Sequence, residues 1–131
     1  MAPPKILITG DLVIAPVPFG GPDNYPDWIS SLDKLLALNA TAIVPGHGDV
    51  EFTGDYMQLE RDLFSSLMEQ AIAAANAWQS LDDFKKSLDL APFEAKIVHD
   101  DPELKWGWDN YFYGKTAALA AWAYRIARGE I

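Results

Sequence analysis

The sequence predicts a layered α/β unit followed by a helical tail. Three observations predict it. Two short apolar, β-branched runs each lead into a glycine, a helix-spaced segment lies between them, and helical periodicity dominates the chain beyond residue 54. The first run, Lys5–Thr9, is almost wholly apolar, as expected of a strand buried on both faces. Gly10 and Asp11 follow, and Leu12-Val13-Ile14-Ala15 reads as another short extended run. Pro16 to Asn24 is rich in Pro and Gly and reads as a loop. Pro26 suits a first helical position, with Asn24 or Tyr25 near the cap. Trp28, Ile29, Leu32, Leu35, Leu36 and Leu38 then recur at helical spacing, and this helix is expected to end near Asn39. Thr41-Ala42-Ile43-Val44 returns to the sheet, and Pro45, which has no N–H for a ladder, is expected to stop it.

The tail is read as three helices and one irregular stretch. Thr53 or Asp55 caps a long amphipathic helix whose stripe is Tyr56, Leu59, Leu63, Phe64, Leu67, Met68, Ala71 and Ile72. A short helix starts at Ser80, with Asp83 three residues later as in a capping box, and stops before Pro92. Phe93–Trp108 reads as irregular, with a turn at Asp100-Asp101-Pro102. A last helix, about Asp109 to Arg128, is closed by Gly129, with arginines placed to complement its dipole. Residues 1–54 form the α/β unit and residues 55–131 a helical extension packed on it, together one domain.

Composition removes several classes of function. At 131 residues, half hydrophobic and 12% aromatic, the chain can bury a core, so a disordered chain is not expected. Ten basic against nineteen acidic residues give a net charge of −9, which repels phosphate backbones; nucleic acid is not an expected partner. The absence of cysteine excludes disulfides and thiolate metal sites. No apolar run is long enough to span a membrane, and Met1-Ala2-Pro3-Pro4 is no signal peptide, so the chain is expected to be soluble and cytoplasmic, with no membrane partner.

The chemistry concentrates at two strand ends. His47 lies between Gly46 and Gly48, where the backbone can turn sharply and approach another group closely. Asp11 follows Gly10 in the same relation to the first strand. A carboxylate and an imidazole, each at the tip of a strand, point to half of a metal site. Each has a plainer reading: Asp11 as a turn former or cap, and His47 as a turn residue. His99, beside Asp100 and Asp101, reads as part of a solvated turn. Glu60 and Asp62 read as the solvated side of a helix, and Glu103 and Lys105 carry no signal. The aromatic group Trp106, Trp108, Tyr111, Phe112 and Tyr113 reads as packing, with the wall of a substrate pocket as the alternative.

Ile8-Thr9-Gly10-Asp11, then Trp28 and Leu32-Asp33-Lys34-Leu35 on a helix, then Val44-Pro45-Gly46-His47-Gly48 resembles the C-terminal half of the metallo-β-lactamase superfamily. The similarity covers residues 5–54 well and the helical tail loosely. It implies half of an αββα sandwich and a site for one or two metal ions, usually zinc, sometimes iron or manganese. By the same resemblance Asp11 is the metal-bridging carboxylate and His47 a terminal ligand. The family's His-x-His-x-Asp-His motif, which supplies the other ligands, is absent from the 131 residues. Catalytic zinc sites use about three protein ligands, so Asp11 and His47 fall short on their own.

Three functions follow as expectations. The chain is the C-terminal portion of a metal-dependent hydrolase, inactive alone; or one chain of a split hydrolase whose partner supplies the missing N-terminal half; or a non-enzymatic remnant whose sheet face is covered by self-association into a homo-oligomer. Half a sandwich leaves a sheet face and an edge uncovered, so each version expects a partner.

Overall fold

In the computed structural model, which describes residues 2–114 and 118–131, strand β1 (Ile6–Ile14) pairs in parallel with strand β2 (Ala42–His47). The connection between them carries helix α1 (Tyr25–Leu36), so the opening of the chain is a βαβ unit. The protein is therefore mixed α/β, with a two-stranded sheet and six α-helices among the described residues. Lys5–Thr9 and Leu12–Ala15, expected as two runs, fall largely within one strand. Gly10 makes this possible: it takes a positive φ of 57° where the register shifts between Ile8 and Ile14.

Pro45 does not stop β2, contrary to expectation. It sits opposite Gly10, where the ladder is already irregular, so its missing N–H costs little. Gly46 is held by the close approach of β1: a Cβ there would fall 2.7 Å from the backbone nitrogen of Asp11. Beyond Gly48 the chain folds back, and Glu51 exchanges two backbone hydrogen bonds with Ile43.

Helix α1 starts as its sequence directs. The Asn24 side chain accepts from the Asp27 N–H, and Pro26 occupies the first turn. Helix α2 (Asp55–Asn76) buries Met57, Glu60, Leu63, Phe64, Leu67, Met68 and Ala71, a stripe at spacings of three and four. Ser80 caps α3 (Leu81–Ser87) by accepting from the Asp83 N–H. The stretch expected to be irregular instead holds two short helices, α4 (Ala91–Val98) and α5 (Pro102–Gly107). Pro92 and Pro102 act there as first-turn residues rather than breakers, and the Asp101 carboxylate caps α5 by accepting from Glu103 and Leu104.

The single last helix is also corrected. A π-helical turn (Trp108–Phe112) follows α5 directly, with the Tyr113 N–H donating to the Trp108 carbonyl five residues back. Gly114 then folds against the Asp109 carbonyl, where a Cβ would not fit. Helix α6 runs only from Leu119 to Ala127, and Gly129 takes a positive φ just past its end. Residues 115–117 of the expected helix lie outside the described residues. No helix among the described residues is long and apolar enough to cross a membrane.

One hydrophobic cluster runs from Val13 on β1 to Tyr124 on α6. Its centre is Phe64, which stacks on Trp28 at 4.7 Å and Tyr25 at 5.3 Å and meets Phe112 edge-on at 6.1 Å. One ring thus ties α1, α2 and the π-helical turn together. Replacing it by Ala removes a fully buried aromatic side chain, and Phe64→Ala is expected to cost about 3–5 kcal/mol. Urea unfolding would register this as a lower midpoint at an unchanged slope; a loss below about 1 kcal/mol would contradict the central role given to the ring.

Candidate functional site

Asp11 and His47 come together. Asp11 follows the Gly10 irregularity of β1 and His47 ends β2, and the aspartate Oδ1 lies 3.4 Å from the imidazole Nε2. Both side chains are exposed, 74% and 66%. Gly46 permits the contact, because any side chain there would occupy the space of the Asp11 carboxylate. Two ligands on one tetrahedral zinc, each about 2.0–2.1 Å from the ion, stand about 3.3 Å apart. The pair therefore has the spacing of two ligands on a shared ion, as well as that of a plain ion pair. No third candidate joins them: among the described residues no group of three or more His, Cys, Asp or Glu could hold a metal ion. His99 lines a neighbouring cleft with Gly48 and Asp49 and forms no metal-holding group with the pair among the described residues. It closes α4 in the left-handed conformation, with Asp100 left-handed after it, and both face solvent.

Behind this pair lies a support that sequence reasoning missed. Glu60, read as solvent-facing, is 1% exposed. It points inward from α2 because Met57, Leu63, Phe64 and Leu67 bury the same helix face. One Glu60 oxygen accepts from the Ile14 N–H at 3.3 Å, while the other is buried without a partner among the described residues. The Tyr56 hydroxyl, one turn earlier, donates to the Ile14 carbonyl at 2.6 Å. Ile14 is the register partner of His47, and the Ala15 N–H donates to the His47 carbonyl at 3.0 Å. Two side chains of α2 thus grip the end of β1 beside the histidine. Burial pushes the Glu60 carboxyl up to about 8, against a smaller lowering by its bond from Ile14. Burial, then the nearby Glu60 and Glu51, likewise raise the Tyr56 hydroxyl.

Asp11 and His47 open onto a cleft of about 850 Å³. Its floor comes from the end of β1 and the following Pro-rich segment, including Ile14, Val17 and Pro18. The opposite wall comes from α5 and the π-helical turn. The aromatic group expected to act as packing divides there: Trp108 and Phe112 are buried, whereas Trp106 and Tyr111 are each 58% exposed and line the cleft. Trp106 and Tyr111 meet edge-on at 5.3 Å. The loop before α1 is fastened to this wall, as Gly20 N–H donates to the Tyr111 carbonyl and leaves no room for a side chain against Phe112. Glu103, to which the sequence assigned no role, also lines the cleft, whereas Lys105 pairs with Glu94 at 2.8 Å and Asp109 at 2.7 Å. In comparisons with known proteins, no protein-family model matches the chain, and no curated protein matches it in sequence.

The Glu60 carboxyl sets a pH dependence. Its folded-state value of about 8 lies above the ordinary 4.5, so the native state holds a proton that the unfolded chain has released between these limits. The stability it supports is complete below about pH 4.5 and is lost as pH rises through about 8. Glu60→Gln keeps the acceptor for Ile14 and cannot ionise. Urea unfolding at pH 5 and pH 9 is expected to show the wild type losing up to about 4 kcal/mol more than the variant. Equal losses in both proteins would mean that Glu60 does not ionise in a buried setting.

Proposed function

We propose that the chain is the C-terminal half of a metal-dependent hydrolase of the metallo-β-lactamase type, and that it contributes Asp11 and His47 to a site completed by other ligands. The observation that carries this reading is the 3.4 Å approach of Asp11 and His47 at the mouth of a large cleft. Its support is geometric: the two strand ends carry the two expected donors at the spacing of ligands on one ion. The uncovered outer face of the sheet, with Ile6 and Ile8 exposed, supports the half-sandwich reading of the α/β unit. In this proposal Asp11 and His47 hold the ion, which is zinc or, in its place, iron or manganese. Tyr56 and Glu60 fix the β1 end against which His47 is set. The cleft holds the scissile substrate and limits its water. A bound zinc-type ion supplies Lewis acidity for hydrolysis.

The missing donors come from a partner, either a separate chain carrying the N-terminal half or a second copy in a homo-oligomer. The isolated chain is inactive on this reading, and the cytoplasm is its proposed compartment. A second reading, a non-enzymatic remnant that covers Ile6 and Ile8 by self-association, is favoured by the same exposed sheet face.

Metal affinity separates the two. Asp11→Ala and His47→Ala are each expected to weaken zinc binding by at least about tenfold, since each removes one of two protein ligands. Zinc bound with the same affinity by the wild type and both variants would contradict the hydrolase proposal and leave the remnant reading. Where the partner is a second copy, association follows: sedimentation is expected to give a mass above that of one chain, with the share of monomer rising on dilution. A single-chain mass across a wide concentration range would contradict a self-covered sheet.

A further inference from the structure

We propose that the cleft beside Asp11 and His47 is a binding site for a small organic cation, an amine or quaternary ammonium group carried on an apolar body. This goes beyond the hydrolase reading and does not need a metal. Three features of the lining carry it. The charged side chains among the described lining residues, leaving His47 aside, are all acidic: Asp11, Asp23 and Glu103. No lysine or arginine is among them. Lys105, two residues after Glu103 in the sequence, is turned away into its pairs with Glu94 and Asp109.

The acids differ in how far they are already engaged. Asp11 has His47 beside it, and Asp23 accepts from the N–H of Asn24 at 2.7 Å. The Glu103 carboxylate has no hydrogen bond or ion pair among the described residues, although it stands on the wall that also carries Trp106. That wall is the second feature. Trp106 and Tyr111 meet edge-on at 5.3 Å with an interplanar angle of 78°, so a cation is received on the exposed part of a ring face rather than between the two rings. The faces of Trp and Tyr rings attract cations, quaternary ammonium groups above all. Trp106 and Tyr111 are each 58% exposed, so a ligand that covers them removes apolar surface from water.

The third feature is pre-organisation. The Gly20 bond to the Tyr111 carbonyl and the tight seat of Gly20 on Phe112 fasten the loop carrying Phe19 to the π-helical turn carrying Tyr111. The rings therefore need not be gathered at the moment of binding, which spares ordering entropy. An apolar floor with acidic and aromatic walls complements a positive head on a hydrophobic body. It opposes carboxylate and phosphate groups, which would face the acids without a basic partner.

The test uses the full chain in EDTA, so that metal plays no part, and compares three probes sharing one ring: benzyltrimethylammonium, benzyl alcohol and benzoate. Binding is read from the indole N–H signals in two-dimensional NMR. Benzyltrimethylammonium is expected to bind at least about tenfold more tightly than benzyl alcohol, with benzoate showing no saturable shift. Trp106→Ala is expected to weaken the cation by about fivefold or more, and Glu103→Gln by about threefold with a flatter salt dependence. Both side chains are exposed, so neither change threatens the fold. Trp78→Ala, outside this cleft, is expected to leave the affinity unchanged. Equal affinity for the cation and the alcohol, saturable binding of benzoate, no saturable shift with the cation, or indifference to Trp106→Ala would overturn the proposal. Zinc affinity, measured separately, decides the hydrolase reading, and either result can fail without the other.

Discussion

The end of strand β1 is held from beneath by helix α2, and the arrangement around the cleft depends on that grip. Tyr56 donates to the Ile14 carbonyl and Glu60 accepts from the Ile14 N–H, so one peptide of the strand is fixed on both sides by residues one helical turn apart. Ile14 lies opposite His47, and the next residue, Ala15, bonds the His47 carbonyl. Gly48, at a positive φ of 99°, then lets the chain pass close to Ala15, where a Cβ would stand 2.8 Å from the alanine methyl group. The histidine is exposed, yet its backbone is tied into the core. A carboxyl used in this way carries an unusual burden, because its second oxygen is buried without a partner. Such a group costs stability unless it stays protonated, which is the direction in which burial drives it.

Parallel strands are ordinarily covered on both faces, since the crossover helices that join them pack there. Here one face is covered: Val13 and Ile43 enter the core, while Ile6 and Ile8 on the alternate positions remain exposed. A two-stranded sheet is close to the smallest that can persist, and it persists because the buried stripes of α1 and α2 and the Phe64 stack supply the packing a third strand would give. The exposed isoleucines mark the side on which the molecule is unfinished as a packing unit.

Much of this was legible in the sequence, for identifiable reasons. The capping residues Asn24 and Ser80, the Pro26 helix start and the stripe of α2 obey local rules that need no tertiary context. Asp11 and His47 were legible because glycines beside them signal close approach, and Gly46 meets Asp11 as that signal requires. The failures share another cause. Pro92 and Pro102 carry the signal of an interruption by residue type, yet each opens a short helix, a distinction that depends on the residues packed below. The charge of Glu60 points to solvent, against its burial. Its place between the buried Met57 and Leu63 put it on the apolar face of its own helix, a signal that was present and outweighed by charge. Trp106 and Tyr111 could not be told from Trp108 and Phe112, because a π-helical turn shifts the phase that helical spacing assumes.

The proposed hydrolase half-site has a thermodynamic consequence that joins its two open ends. Two exposed ligands leave most of an ion's coordination to water, so the ion gains little from this chain alone. A partner that covers Ile6 and Ile8 and brings further donors raises the ion's affinity. By linkage the ion then raises the partner's affinity by the same factor. Metal binding and covering of the sheet face are in that case one equilibrium viewed from two sites about a shared pair of strands. The net charge of −9 works in the same direction. It opposes the pairing of two like copies, screened beyond roughly 8 Å at physiological salt, and a dication set between Asp11 and His47 removes part of that opposition where the chains would meet. A second copy gains such help only where its own Asp11 and His47 reach the same ion; a copy that only covers the isoleucines adds acidic surface and no ligand. The electrostatics therefore favour a partner that carries the complementary ligands over a copy that only hides the isoleucines.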